Sequence, residues 1–187
     1  MSLEEIDETE LQALVEKARD GDGDAFEKIY DHFFLPVYRY TAFRTSSELV
    51  EDVVADVFVK AWEKLHQYKA RKGVPFGAWL FRIARHTIID SYRKERETEE
   101  VSEDLPDPDV FNHADTRVKN ADTLRIVRDS LDQLPRRYRE ILLLSYVAEL
   151  PTFEVARVLK MTEGGVRILK FRALRKLEGL LPPEIHN

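Results

Sequence analysis

Apolar residues along this chain return every three or four positions, and no stretch alternates as a half-buried strand would. The first such stretch predicts a helix over about 9–20, with Leu11, Leu14, Val15 and Ala18 on one face and Gly21 ending it. A second helix begins near Asp24 and gathers Phe26, Ile29, Tyr30, Phe33 and Phe34 on one side. Pro36 should kink or split it, because proline removes a backbone donor and crowds the preceding turn. The aromatic spacing then resumes through Val37, Tyr38, Tyr40 and Phe43. Ser46 or Ser47 is placed to cap a long third helix with the stripe Leu49, Val50, Val53, Val54, Val57, Phe58, Ala61, Trp62 and Leu65. A basic loop at about 67–74 leads to Pro75, which suits the first turn of a fourth helix reaching about Glu97.

The helical period then stops. Residues 98–116 hold seven acids, no base and two prolines, the composition of a linker, and could stretch to about 60 Å. Periodicity returns near Arg117, with Leu124, Val127, Leu131 and Leu134 on one helix, and Ile141–Leu144 and Val147 after Pro135 on the next. Pro151 opens a short helix at 152–159, Lys160 and Met161 turn the chain, and Thr162 caps a last helix reaching about Leu180. The fold class expected is all-α: two small helical domains joined by an acidic linker, the second a helix-turn-helix domain. The divisions are an acidic N-terminal helix (1–22), a first domain (23–97), the linker (98–116), the second domain (117–181) and a tail (182–187).

Charge changes this picture more by its distribution than by its sum. The net charge of −6 argues against a polyanion partner. Yet residues 67–97 hold eight bases against three acids, and residues 151–180 seven against three. Each block is either a solvated helix face or a contact with nucleic acid. The acidic segments could mask the basic faces in the free protein. Cysteine is absent, which removes disulfides, thiolate metal sites and cysteine nucleophiles. The N-terminus has no apolar signal core, and no run is long enough to span a bilayer, so a cytoplasmic protein with no direct membrane insertion is expected. The five histidines are scattered without metal-ligand spacing, and there is no glycine-rich phosphate loop or nucleophile elbow. No enzyme activity, cofactor or metal is expected.

On the last helix, Val166, Leu169, Ala173, Leu174 and Leu177 fall in the core sector. Arg167, Ile168, Phe171, Arg172 and Arg175 lie opposite, with Glu163 and Gly164 at the N-terminus. Arginines there can pair with guanine edges, and apolar groups can meet a thymine methyl. Lys170 lies near the core sector and should snorkel to phosphate or solvent. The fourth helix also has two faces. Arg82, Arg85, His86, Ile89 and Arg93 stand opposite Leu80, Ile83, Ala84, Thr87 and Ile88, and the loop adds Lys69, Arg71 and Lys72. With Phe76, Trp79 and Tyr92 nearby, that face could hold single-stranded DNA, or its aromatics could simply be core. The outer face of the third helix, with Glu48, Glu51, Asp52, Asp56, Lys60 and Glu63, suits a protein partner or solvent.

The segments DAFEKIYDHFFLPVYRY, VEDVVADVFVKAW, FGAWLFRIARHTIIDSYRK, LDQLPRRYREILLLSYV and LPTFEVARVLKMTEGGVRILKFRALRKL, in this order around an acidic linker, resemble the extracytoplasmic-function (ECF) sigma factors of the sigma-70 family. The resemblance implies two domains that bind core RNA polymerase and promoter DNA. The first would grip the polymerase clamp through Asp52, Asp56, Phe58 and Trp62. It would open the −10 element through Lys69, Arg71, Lys72, Trp79, Arg82, Arg85, His86, Ile89 and Arg93. The second would read the −35 element through Glu163, Gly164, Arg167, Ile168, Phe171, Arg172 and Arg175. It also implies a dedicated anti-sigma factor, and a linker threading toward the polymerase active site. Family members often carry glutamine at Ala55, asparagine at His86, glycine at Lys160, and serine and arginine at Ile168 and Leu169, so no −35 sequence preference transfers. Regulation by a C-terminal extension is not expected. One alternative is a helix-turn-helix regulator with an N-terminal sensor or dimerisation domain. Another is a helical adaptor that sequesters an anti-sigma factor. The basic faces of the fourth and last helices disfavour them respectively.

Overall fold

The computed structural model describes residues 6–69, 74–98 and 117–182. Its first helical region contains α1 (Glu8–Arg19), α2 (Gly23–Ala42), α3 (Val50–Lys64) and α4 (Phe76–Thr98). The second contains α5 (Arg117–Asp132), α6 (Arg136–Leu142), α7 (Thr152–Leu159) and α8 (Glu163–Glu178). No strand occurs among the described residues.

Local chemistry sets the helix ends. Asp7 starts α1 by accepting the Glu10 N–H at 2.8 Å, and Asp22 starts α2 by accepting that of Ala25 at 3.0 Å. Between them the chain turns at Gly21, whose φ of 96° a side chain would strain. Helix α2 runs through Pro36 rather than splitting there. The proline removes one backbone donor, while Ile29, Phe33, Val37 and Tyr40 are buried on both sides of it. Neither serine caps α3 by its side chain. A 3-10 turn, Ser47–Leu49, precedes that helix, and Ser46 makes no capping bond. Helix α6 continues into a π turn, Leu143–Val147, that buries Leu143 and Leu144.

The linker is long enough to separate the two regions widely, yet they share one apolar core. On the first region's side of it, Phe81 of α4 meets Tyr40 edge-on, with ring centroids 5.5 Å apart. Around it the contact is polar. The carbonyls of Ala42 and Phe43, at the open C-terminal end of α2, accept from Arg128 and Arg139 of the second region, both at 2.8 Å. Glu140 of α6, 4% exposed, accepts from Tyr40 Oη at 2.7 Å through Oε1 and from Arg44 through Oε2. Burial first, then the Glu140 carboxylate, push the Tyr40 phenol far above its usual range, so it stays a donor. Burial acts to lower the Arg44 pKa, but its contact with the Glu140 carboxylate outweighs this and the net direction is upward.

Glu154 of α7 makes a second crossing contact. Its carboxylate lies against Gly77 of α4, where a Cβ would overlap it. Burial, reinforced by Glu8, raises this carboxyl from 4.5 to about 7. The folded chain therefore holds the proton more tightly than the unfolded chain. The associated stability is complete below about pH 4.5 and is lost as pH rises to about 7. Glu154→Gln removes this loss. Relative to the parent, the variant should gain on the order of 2 kcal/mol between about pH 5 and 8. Urea midpoints measured across that range check this, and a difference between the two proteins that does not change with pH contradicts it.

Candidate nucleic-acid interface

Helix α8 is held at both ends. Lys160 takes the left-handed turn between α7 and α8 at φ 54°, a conformation that glycine would adopt more easily. Thr162 then accepts the Gly165 N–H at 3.1 Å and fixes the start of α8. Val166 and Ala173 anchor it with no exposed surface. Glu163, Gly164, Arg167, Ile168, Phe171, Arg172 and Arg175 are all exposed, with Phe171 at 65% and Ile168 at 57%. Two short-range pairs restrain the cations: Arg167 lies 3.4 Å from Glu163, and Arg175 lies 3.6 Å from Glu178. Two details differ from the sequence expectation. Leu174 is 37% exposed and lies at the edge of the core face, and Lys170 sits 5.4 Å over the Tyr146 ring.

The face predicted on α4 is divided. His86 and Arg93 are exposed, Ile89 is half-buried, and Lys69 is exposed before the loop. Arg71 and Lys72 lie outside the described residues. Trp79 is half-buried and packs between Tyr68 and Phe76, with centroids at 5.2 and 5.3 Å, so most of its ring supports the domain. Arg82 and Arg85 are half-buried. Arg82 donates to the Arg157 carbonyl at the end of α7. Arg85 Nε lies 3.3 Å from Glu140 Oε1, an ion pair without hydrogen-bond alignment. Helical periodicity separates these arginines from the core of their own domain, but each then makes a polar contact with the second region.

On α3, Asp52 and Asp56 are exposed and Trp62 is 41% exposed, its ring edge-on to Phe26 at 4.8 Å. Phe58 is only 5% exposed and packs on Tyr30, so it cannot offer its ring to a partner. Val59, which the stripe analysis omits, is the exposed apolar residue beside it. Lys60 turns inward to donate to Thr87 at 3.3 Å. Sequence reasoning also misses Tyr40, Arg44 and Glu140. The available signal was one acid, Glu140, directly before four apolar residues, a position where a carboxylate needs a partner. Among the described residues no cluster of acids or histidines could hold a metal ion, and no helix is long and apolar enough to cross a membrane.

Comparison with known proteins identifies the family. The family model for Sigma-70 region 2 matches residues 29–98, and that for Sigma-70, region 4 matches residues 124–177. The ECF RNA polymerase sigma factor BldN of Streptomyces coelicolor is 31% identical over 95% of this chain and 68% of its own length. SigD of Mycobacterium tuberculosis, also named an ECF RNA polymerase sigma factor, is 31% identical over 90% of this chain and 82% of its own. Among solved structures, CnrH in complex with the cytosolic domain of CnrY superposes with a TM-score of 0.69 at 27% identity. That match covers 90% of this chain and 94% of CnrH. The chain belongs to the ECF sigma factors of the sigma-70 family, which direct RNA polymerase to promoters and are not enzymes.

Proposed function

We propose that this sigma factor binds a promoter at two points while attached to core polymerase through α3. The observation that carries the −35 assignment is the exposure of every nominated residue on α8, set against the burial of Val166 and Ala173 between them. That arrangement offers arginine, aromatic and aliphatic groups to a major groove and keeps the helix fixed beneath them. The −10 assignment is supported by the cations of α4 and its preceding loop. Melting would follow from trapping unstacked bases rather than from any catalytic group. Contact with the polymerase clamp is assigned to Asp52, Asp56 and Trp62, with Val59 joining them and Phe58 supporting from beneath. A polymerase partner would put the protein in the cytoplasm.

An anti-sigma factor is proposed as regulator. CnrH was solved with the cytosolic domain of CnrY, and its similarity spans nearly the whole of this chain, which supports a protein partner of that kind here.

Two substitutions test the two ends of this reading. Arg172→Ala should weaken holoenzyme binding to a −35-containing promoter by about 1–3 kcal/mol, tenfold or more, while leaving core polymerase affinity intact. Mobility shift with reconstituted holoenzyme reads this, and an unchanged promoter affinity removes Arg172 from the interface. Trp62→Ala should do the reverse. It should lower affinity for core polymerase by about tenfold or more, since exposed aromatic residues in interfaces are frequent energetic anchors. Titration of labelled sigma factor with core polymerase measures it, and undiminished assembly assigns the clamp contact elsewhere.

A further inference from the structure

Phe171 and Ile168 are the two most exposed large apolar side chains among the described residues, at 65% and 57%. They stand three residues apart on α8, a step of about 4.5 Å along the helix axis. Base pairs of a duplex are stacked about 3.4 Å apart, so the two groups can reach neighbouring pairs. A face that met only phosphates would gain nothing from an aromatic ring and a branched aliphatic group. The apolar group that a major groove presents at a base edge is the C5 methyl of thymine. The surrounding cations divide by their partners. Arg167 is held by Glu163 at 3.4 Å and Arg175 by Glu178 at 3.6 Å, whereas Arg172 has no ion pair or hydrogen bond among the described residues. Lys170 is drawn aside over the Tyr146 ring. We propose that Ile168 and Phe171 make this sigma factor selective for thymine methyls on neighbouring base pairs of its upstream promoter element, beside a guanine read by Arg172. This rests on the −35 reading of α8.

The roles follow from what each group can discriminate. A guanidinium reads guanine by pairing with O6 and N7 together, and a carboxylate on its own helix competes for that geometry. Arg172, which has no such carboxylate, is therefore the base reader, and Arg167 and Arg175 are left to phosphates. Ile168 and Phe171 cannot read donors or acceptors. Against cytosine, adenine or guanine they would meet an amino group or a ring nitrogen that gives up water without gaining a partner. Against thymine they cover a methyl instead. The cap at Thr162 and the burial of Val166 and Ala173 hold both groups in register above the domain.

Deoxyuridine differs from thymidine only by that methyl, so it isolates the contact. Holoenzyme reconstituted from the full chain and core polymerase first selects bound duplexes from a randomised library. The upstream element they share should hold neighbouring thymines beside a guanine. One selected duplex is then made with thymine or with uracil at those positions, and the two are compared by mobility shift. Each methyl removed should weaken binding about fourfold. Ile168→Ser combined with Phe171→Ser should bind the thymine duplex about tenfold more weakly than the parent and bind both duplexes alike. Both side chains are exposed, so the fold does not depend on them. Arg172→Ala should weaken binding to both duplexes and leave their ratio unchanged. A shared element without neighbouring thymines, equal binding of the two duplexes by the parent, or an unchanged ratio in the double variant each overturns the proposal. If Arg172→Ala still weakens binding in those cases, only methyl selection is wrong. If Arg172→Ala and the double variant both bind as the parent does, the −35 reading fails and methyl selection fails with it.

Discussion

A carboxylate cannot lie in the middle of a protein without partners, and the arrangement of this sigma factor follows from how Glu140 obtains them. Its own helical region supplies none of the three groups around it. Tyr40 and Arg44 come from the end of α2 and Arg85 from α4, so the charge is satisfied only when the regions are together. Removing one partner from such a buried pair typically costs about 3–5 kcal/mol, because a charge is left without compensation. Replacing the whole cluster by apolar side chains would cost far less. The cluster therefore specifies how the regions meet more than it adds stability.

Around it the contact follows the same logic with weaker groups. The last carbonyls of α2 would be orphaned at a buried helix end, and Arg128 and Arg139 satisfy them from across the boundary. Polar crossings of this kind fix geometry, yet each has water as a reasonable substitute once opened. On the two-point promoter reading proposed above, each region would meet its own element, and an interface with polar crossings suits that task.

Much of this could be read in the sequence, for identifiable reasons. Helical periodicity is a local property. It located each helix and put Val166 and Ala173 beneath the exposed face of α8, where the domain's own packing decides everything. The cap at Thr162 was equally local. Pro36 does not split α2, because propensity weighs one lost hydrogen bond, whereas the surrounding buried side chains keep the helix continuous. Phe58 and Trp62 belonged to one stripe, but only the neighbours Tyr30 and Phe26 determine which ring is covered. Arg82 and Arg85 marked the limit more deeply. Periodicity shows which side of a helix avoids its own core, and says nothing about a second region arriving from about 55–75 residues along the chain to meet that side.

The free chain is closed, with both helical regions around one core and Glu140 between them. Small-angle scattering from the isolated, unmodified protein at neutral pH tests it most directly. A closed chain of 187 residues should give a radius of gyration near that of a single compact body, about 16 Å. A markedly larger radius, with a distance distribution resolving two separate lobes, would contradict it.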